Sequence, residues 1–221
     1  RGKKLKMINY LLDATKDFLK NADFAWAVCG GFALDLFLDR DTRTHGDIDI
    51  CVFERDRDKI FHYILDKNWS VYEFCGQGKV RPLDMTLSSE TGRNLMCTYG
   101  DCDIVKFYPC DEKGLLWHEF FHTGIKKFNY LEFLFSSSSA DYFVFDKNKG
   151  IEREISKAIL FNNDIPYLAP EIALLYKSSC SENKEYQYDF EQVHSRMSNE
   201  QKSWFIKSLD ILCPDELPWK V

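Results

Sequence analysis

The feature that most constrains this chain is a short apolar run that ends on two glycines and is followed by a helix and then an acidic strand. Phe24 to Cys29 reads as a strand that stops at Gly30-Gly31. From Phe32 to Leu38 the apolar residues Ala33, Leu34, Phe37 and Leu38 return at helical spacing. Asp47 to Phe53 then alternates as Asp-Ile-Asp-Ile-Cys-Val-Phe, the period of a half-buried strand. Asp47 and Asp49 sit two apart, so both carboxylates leave the strand on the same face. Two glycines at a strand-to-helix turn let backbone N–H groups come close to an anion, and the helix N-terminus adds its dipole. Hard oxygen donors on one face suit Mg²⁺, whose octahedron phosphates and water can complete. A Gly-Gly turn alone, or an Asp-x-Asp strand alone, is ordinary. In this order and spacing the two point to handling of a triphosphate.

The rest of the chain supplies a frame. Leu11, Leu12, Thr15, Phe18 and Leu19 give an amphipathic first helix, and residues 56–67 give another through Ile60, Phe61, Ile64 and Leu65. Strand-like stretches follow at 71–75, 94–99 and 102–108, separated by Gly-containing turns. Residues 111–150 are rich in aromatics and show no clear period. Pro170 suits the first turn of a helix running to about Ser179. A second helix is expected over Asn183 to Met197. A third opens at Ser198-Asn-Glu-Gln201, a capping-box pattern. The expectation is an α+β fold, a small mixed sheet flanked by helices, with residues 1–164 as the catalytic domain and 165–221 as a helical region packed on it.

Composition narrows the partners. The chain has 29 Lys+Arg against 35 Asp+Glu, a net charge of -6. That balance argues against a sequence-independent grip on nucleic acid, which needs many cations to displace counterions. No apolar run is long enough to span a bilayer, and the start lacks a signal-peptide core. The eight cysteines are scattered singly, as expected of thiols in a reducing cytoplasm.

Gly-Gly, a short helix and Asp-Ile-Asp on a strand is similar to the signature of polymerase-β-like nucleotidyltransferases. The string Gly30 to Phe53 resembles the subgroup of aminoglycoside and lincosamide nucleotidyltransferases, as does the tail Ile165 to Lys177 followed by Asp189-Phe190. In the tail, Glu185 stands where relatives carry lysine. The resemblance implies transfer of a nucleoside monophosphate, AMP by default, from an NTP to a hydroxyl of a small acceptor such as an antibiotic. It implies Mg²⁺, in one or two ions, held by Asp47, Asp49 and a third carboxylate on a neighbouring strand. Asp103 in the run Cys102 to Tyr108 is the expected third, with Asp101 and Asp84 as rivals. The nucleotide is expected over Gly30-Gly31, with Arg43, His45 and Lys177 as further contacts, and Arg40 a weaker one. The acceptor is expected in a cleft between the sheet and the C-terminal helices.

Two other classes compete. His118-Glu119-x-x-His122 matches the zinc-peptidase pattern, which on a helix places both histidines on one face with the glutamate as base. A third ligand would have to come from Glu132, Glu152 or Glu154, and the bland reading is an aromatic helix or strand pair packed on the sheet. A non-catalytic nucleotide-binding module is the other alternative, and the intact Asp47/Asp49 pair argues against it.

Overall fold

The structure is a computed structural model and describes residues 7–87, 89–121, 124–213 and 219. In chain order the elements are α1 (Met7–Leu19), β1 (Trp26–Val28), α2 (Gly30–Leu38), β2 (Asp49–Phe53), α3 (Arg57–Asp66), β3 (Ser70–Gly76), β4 (Lys79–Leu83) and β5 (Leu95–Thr98). They continue with β6 (Val105–Pro109), β7 (Leu116–Phe120), β8 (Tyr130–Ser138), β9 (Tyr142–Val144), β10 (Glu152–Glu154), α4 (Ile155–Ala158), β11 (Ile159–Asn162) and β12 (Ile165–Leu168). The last three helices are α5 (Pro170–Lys177), α6 (Lys184–His194) and α7 (Asn199–Leu212). This is the mixed α+β class expected from the sequence. Among the described residues, no helix is long and apolar enough to cross a membrane.

The chain divides into two compact units, each built from separated stretches: Arg1–Trp26 with Thr44–Phe135, and Ala27–Arg43 with Ser136–Val221. The boundary expected at 164/165 differs from this division. That expectation followed a rise in helix content, whereas strand pairing ties distant segments together. Tyr167 in β12 pairs in parallel with Val28 in β1, and β11 runs antiparallel to β12.

The first unit is built on a sheet ordered β2-β8-β5-β3-β4-β7-β6. From β8 outward to β6 every neighbouring pair is antiparallel. One face carries Ile50, Val71, Leu95, Cys97, Leu131 and Phe133, all buried. This apolar face is the unit's core, to which α1 and α3 add Leu11, Leu12, Leu19, Ile60, Phe61 and Ile64. Glu73 is buried on the same face with no exposure, and a lone charge there would be costly. It is paired: its carboxylate accepts from Arg81 at 2.5 Å, from Ser89 at 3.2 Å and from the backbone N–H of Glu90. The opposite face is more open, with Tyr72, Phe74, His118, Phe120 and Glu132 each half-buried.

In the second unit, β1, β12 and β11 are neighbours, and β9 pairs with β10 and with the end of β8 at Ser137 and Ser138. Helix α5 packs against α2, α6 and α7. Pro170 starts α5, and Ser198 with Gln201 forms the expected capping box at α7. Phe190, Val193, Phe205 and Leu209 are buried between helices, and Trp219 stacks on Phe190 at 4.7 Å. Glu171, fully buried, is held by Arg153 and Gln201 at 2.8 Å each.

Candidate active site

In the first unit, the acidic strand is positioned from both sides. Before it, the backbone N–H of Ile125 donates to the carbonyl of His45 at 2.9 Å, and His45 itself is buried. Gly124 makes this approach possible: its φ is +76°, and a Cβ there would lie 2.5 Å from Cγ2 of Thr44. Beside it runs β8, where the N–H of Glu132 donates to the carbonyl of Ile48 at 3.0 Å.

The consequence is a group of three carboxylates. Asp47, Asp49 and Glu132 each offer an oxygen, and these oxygens lie within 4.8 Å of one another. Glu132 also accepts a hydrogen bond from the Tyr130 hydroxyl at 2.5 Å. Burial raises the Glu132 carboxyl, the Tyr130 bond opposes that rise, and Asp47 adds to it, so the pKa is pushed up to about 7. Burial and the charge of Glu132 push the Tyr130 hydroxyl above its ordinary range as well. Three acidic groups at this spacing repel one another, and a cation of hard character relieves that repulsion. The donor set, all carboxylate oxygen, fits Mg²⁺.

Glu132 takes the place expected for Asp103. Among the described residues, Asp103 is not in the carboxylate group: it lies in the exposed bend before β6. The physical reason is strand order. The neighbour of β2 is β8, far along the chain, whereas β6 closes the other edge of the sheet. The two rivals have structural duties. Asp101 accepts through its carbonyl from Asn129 at 2.9 Å, and Asp84 forms a turn by accepting from Thr86 N–H at 2.7 Å. A signal for Glu132 was present in the sequence: Tyr130 to Phe135 is a strand-like apolar run broken by one carboxylate.

In the second unit, Gly30 opens α2 with φ +63°, a conformation that costs glycine little. After α2 the chain turns through Asp39 at φ +50°. Buried Asp35 fastens this turn by accepting from the N–H of Thr42 at 3.0 Å and from its hydroxyl at 2.5 Å. Arg43 then forks onto Asp189, Nε to Oδ1 at 3.1 Å and Nη2 to Oδ2 at 3.2 Å, and meets Glu185 at 3.3 Å. Burial disfavours the charged guanidinium, but the bond and charge of Asp189 outweigh it and hold the pKa above its usual value. Lys177 reaches the same carboxylate at 3.1 Å and lies 4.2 Å from the centre of the Tyr186 ring. Two residues expected at the nucleotide, Arg43 and Lys177, are thus brought together on Asp189, whose side chain is 1% exposed. Arg40 is exposed and donates to Gln192 at 2.6 Å.

The zinc-peptidase alternative fails on local structure. Leu116–Phe120 is the strand β7 and not a helix, so His118 and Glu119 point to opposite faces. Glu119 accepts from the Tyr108 hydroxyl at 3.1 Å, and burial lowers the pKa of His118. His122 lies outside the described residues.

In fold, and over part of its sequence, the chain resembles the aminoglycoside and lincosamide nucleotidyltransferases. The family model of the aminoglycoside-2''-adenylyltransferases matches residues 11–106. The fold is similar to that of the lincosamide antibiotic adenylyltransferase LnuA in its lincomycin-bound crystal structure, at 14% identity and a TM-score of 0.51, covering 85% of this chain and 97% of that one. It is similar also to ANT(2")-Ia in complex with adenylyl-2"-tobramycin, at 10% identity and a TM-score of 0.50, covering 92% of this chain and 98% of that one. No curated protein sequence matches the chain.

Proposed function

We propose that this protein transfers AMP from ATP to a hydroxyl of an antibiotic-like small molecule, with Mg²⁺ held by Asp47, Asp49 and Glu132. The observation that carries the reading is the convergence of these three carboxylates within 4.8 Å. Mg²⁺, as one ion or two, would neutralise triphosphate charge and favour the leaving pyrophosphate. The chain's own residues do the rest. In the second unit, the Gly30-Gly31 turn presents backbone N–H groups at the start of α2, an arrangement that favours an anion. In the same unit, Asp189 fixes the positions of two cations, Arg43 and Lys177. His45 orders the turn that leads into Asp47. The acceptor oxygen forms a bond to the α-phosphorus, and pyrophosphate leaves with the electron pair of the broken P–O bond. The hydroxyl proton passes to a carboxylate of the trio. ATP as co-substrate fits a cytoplasmic enzyme.

The test is mass spectrometry of reactions containing the protein, ATP, Mg²⁺ and either lincomycin or tobramycin. An acceptor heavier by one adenylyl group, with pyrophosphate released, is the expected result. Binding of Mg·ATP without adduct on either compound would argue instead for a nucleotide-binding module.

A further inference from the structure

The face of the first-unit sheet that bears the carboxylate trio does not end there. Glu132 and Tyr130 project from the same side of β8, and Glu132 pairs across with Met96, which pairs with Tyr72. The same face runs on through Phe74 to β7 and β6, where His118 faces Phe107 and Phe120 faces Val105. The rings touch in sequence: Tyr130 to Phe120 at 6.0 Å, Phe120 to His118 at 5.1 Å and His118 to Phe74 at 5.6 Å. Tyr72 and Phe107 stack at 4.1 Å. Apart from buried Tyr130, these rings are half-buried and each keeps part of its surface open, while Met96, Val80 and Val105 between them are buried. None of these positions carries a carboxylate. The charged residues of the β6–β7 pair, Lys106 and Glu119, lie on the other face. His118 belongs to the wall in its neutral form: burial disfavours its charge, and its Nδ1 is buried with no hydrogen-bond partner among the described residues.

We infer that this aromatic wall is the acceptor surface, and that it selects a hydroxylated molecule with an apolar or flat body and at most one positive charge over a polycation. The inference rests on the transferase reading and names its substrate class. Rings take apolar groups by stacking and area burial. A polycation needs a carboxylate for each ammonium group it desolvates, and the wall offers none. The carboxylates of the trio are engaged by the cation and by the acceptor's hydroxyl proton. A single ammonium could still lie over a ring.

The test compares steady-state kinetics with lincomycin, a largely apolar monoamine, and tobramycin, a polycation, alongside calorimetric binding of Mg·ATP. Lincomycin should be used with kcat/KM at least about a hundredfold above tobramycin. Phe120→Ala should raise the lincomycin KM about tenfold while leaving Mg·ATP affinity unchanged, and Phe120→Tyr should restore it. His118→Asp, which adds a carboxylate to the wall, should narrow the preference for lincomycin by about tenfold or more. Unchanged Mg·ATP affinity in each variant reports an intact fold. Tobramycin preferred or used equally, neither compound used by protein that binds Mg·ATP, or an unchanged KM in Phe120→Ala would each overturn the inference. Failure to bind Mg·ATP at all would instead bring down the transferase reading beneath it.

Discussion

Asp103 and Glu132 show how far single residues can be read from sequence. The arrangement of Gly30, Asp47 and Asp49 is legible in the sequence because their spacing is local: one turn, one helix and one strand. The third carboxylate is not, because its place depends on which distant strand lies beside β2. The two assignments separate cleanly in experiment. Asp47→Asn, Asp49→Asn and Glu132→Gln should each lower turnover on the order of 10²-fold or more with the melting temperature preserved, since each removes a ligand and no packing. Asp103→Asn should stay within about twofold of wild type, as expected of a surface substitution. Loss of turnover in Asp103→Asn with normal turnover in Glu132→Gln would reverse the correction. Gly30→Ala tests the turn: at φ +63° a Cβ costs about 1–2 kcal/mol, which should appear as a lower denaturation midpoint.

Among the elements, the helices were read best. α1, α3, α5, α6 and α7 carry apolar residues at helical spacing, and Ser198-x-x-Gln201 caps as its sequence announces. Ser198→Ala should lower stability by about 1 kcal/mol, measured by thermal or urea denaturation, because the N–H of Gln201 loses its acceptor. The sequence does not display where strands β4, β7, β8 and β9 begin and end. Their apolar residues serve two faces of a wide sheet, and cross-strand pairing that sequence does not display decides where each begins. The histidine motif misleads for the same reason, since its period is read as helical while its neighbours pair it as a strand. At the end of α6, His194 stacks on Phe190 at 4.9 Å, and burial with the charge of Lys202 lowers its pKa below 6.5. The folded state therefore binds this proton less readily than the unfolded chain. Its contribution to stability is present above about pH 6.5 and is lost as the pH falls through that value toward the folded pKa. The difference in urea midpoint between about pH 7.5 and about pH 5.5 should accordingly shrink in His194→Gln.

For the whole molecule, the two compact units are discontinuous, whereas the composition of the sequence suggests a single boundary at 164/165. Residues 27–43 cluster with the C-terminal half, so the Gly30-Gly31 turn and the Asp47/Asp49 strand, adjacent in sequence, fall in different units. If the acidic trio holds the cation, nucleotide binding depends on a divalent metal. The most direct test is calorimetric titration of ATP into wild-type protein and Asp49→Asn, with Mg²⁺ and with EDTA. Saturable binding to wild type with Mg²⁺, lost in EDTA and lost in the variant, is the expected result. Binding of equal affinity in EDTA, or retained by Asp49→Asn, would contradict it.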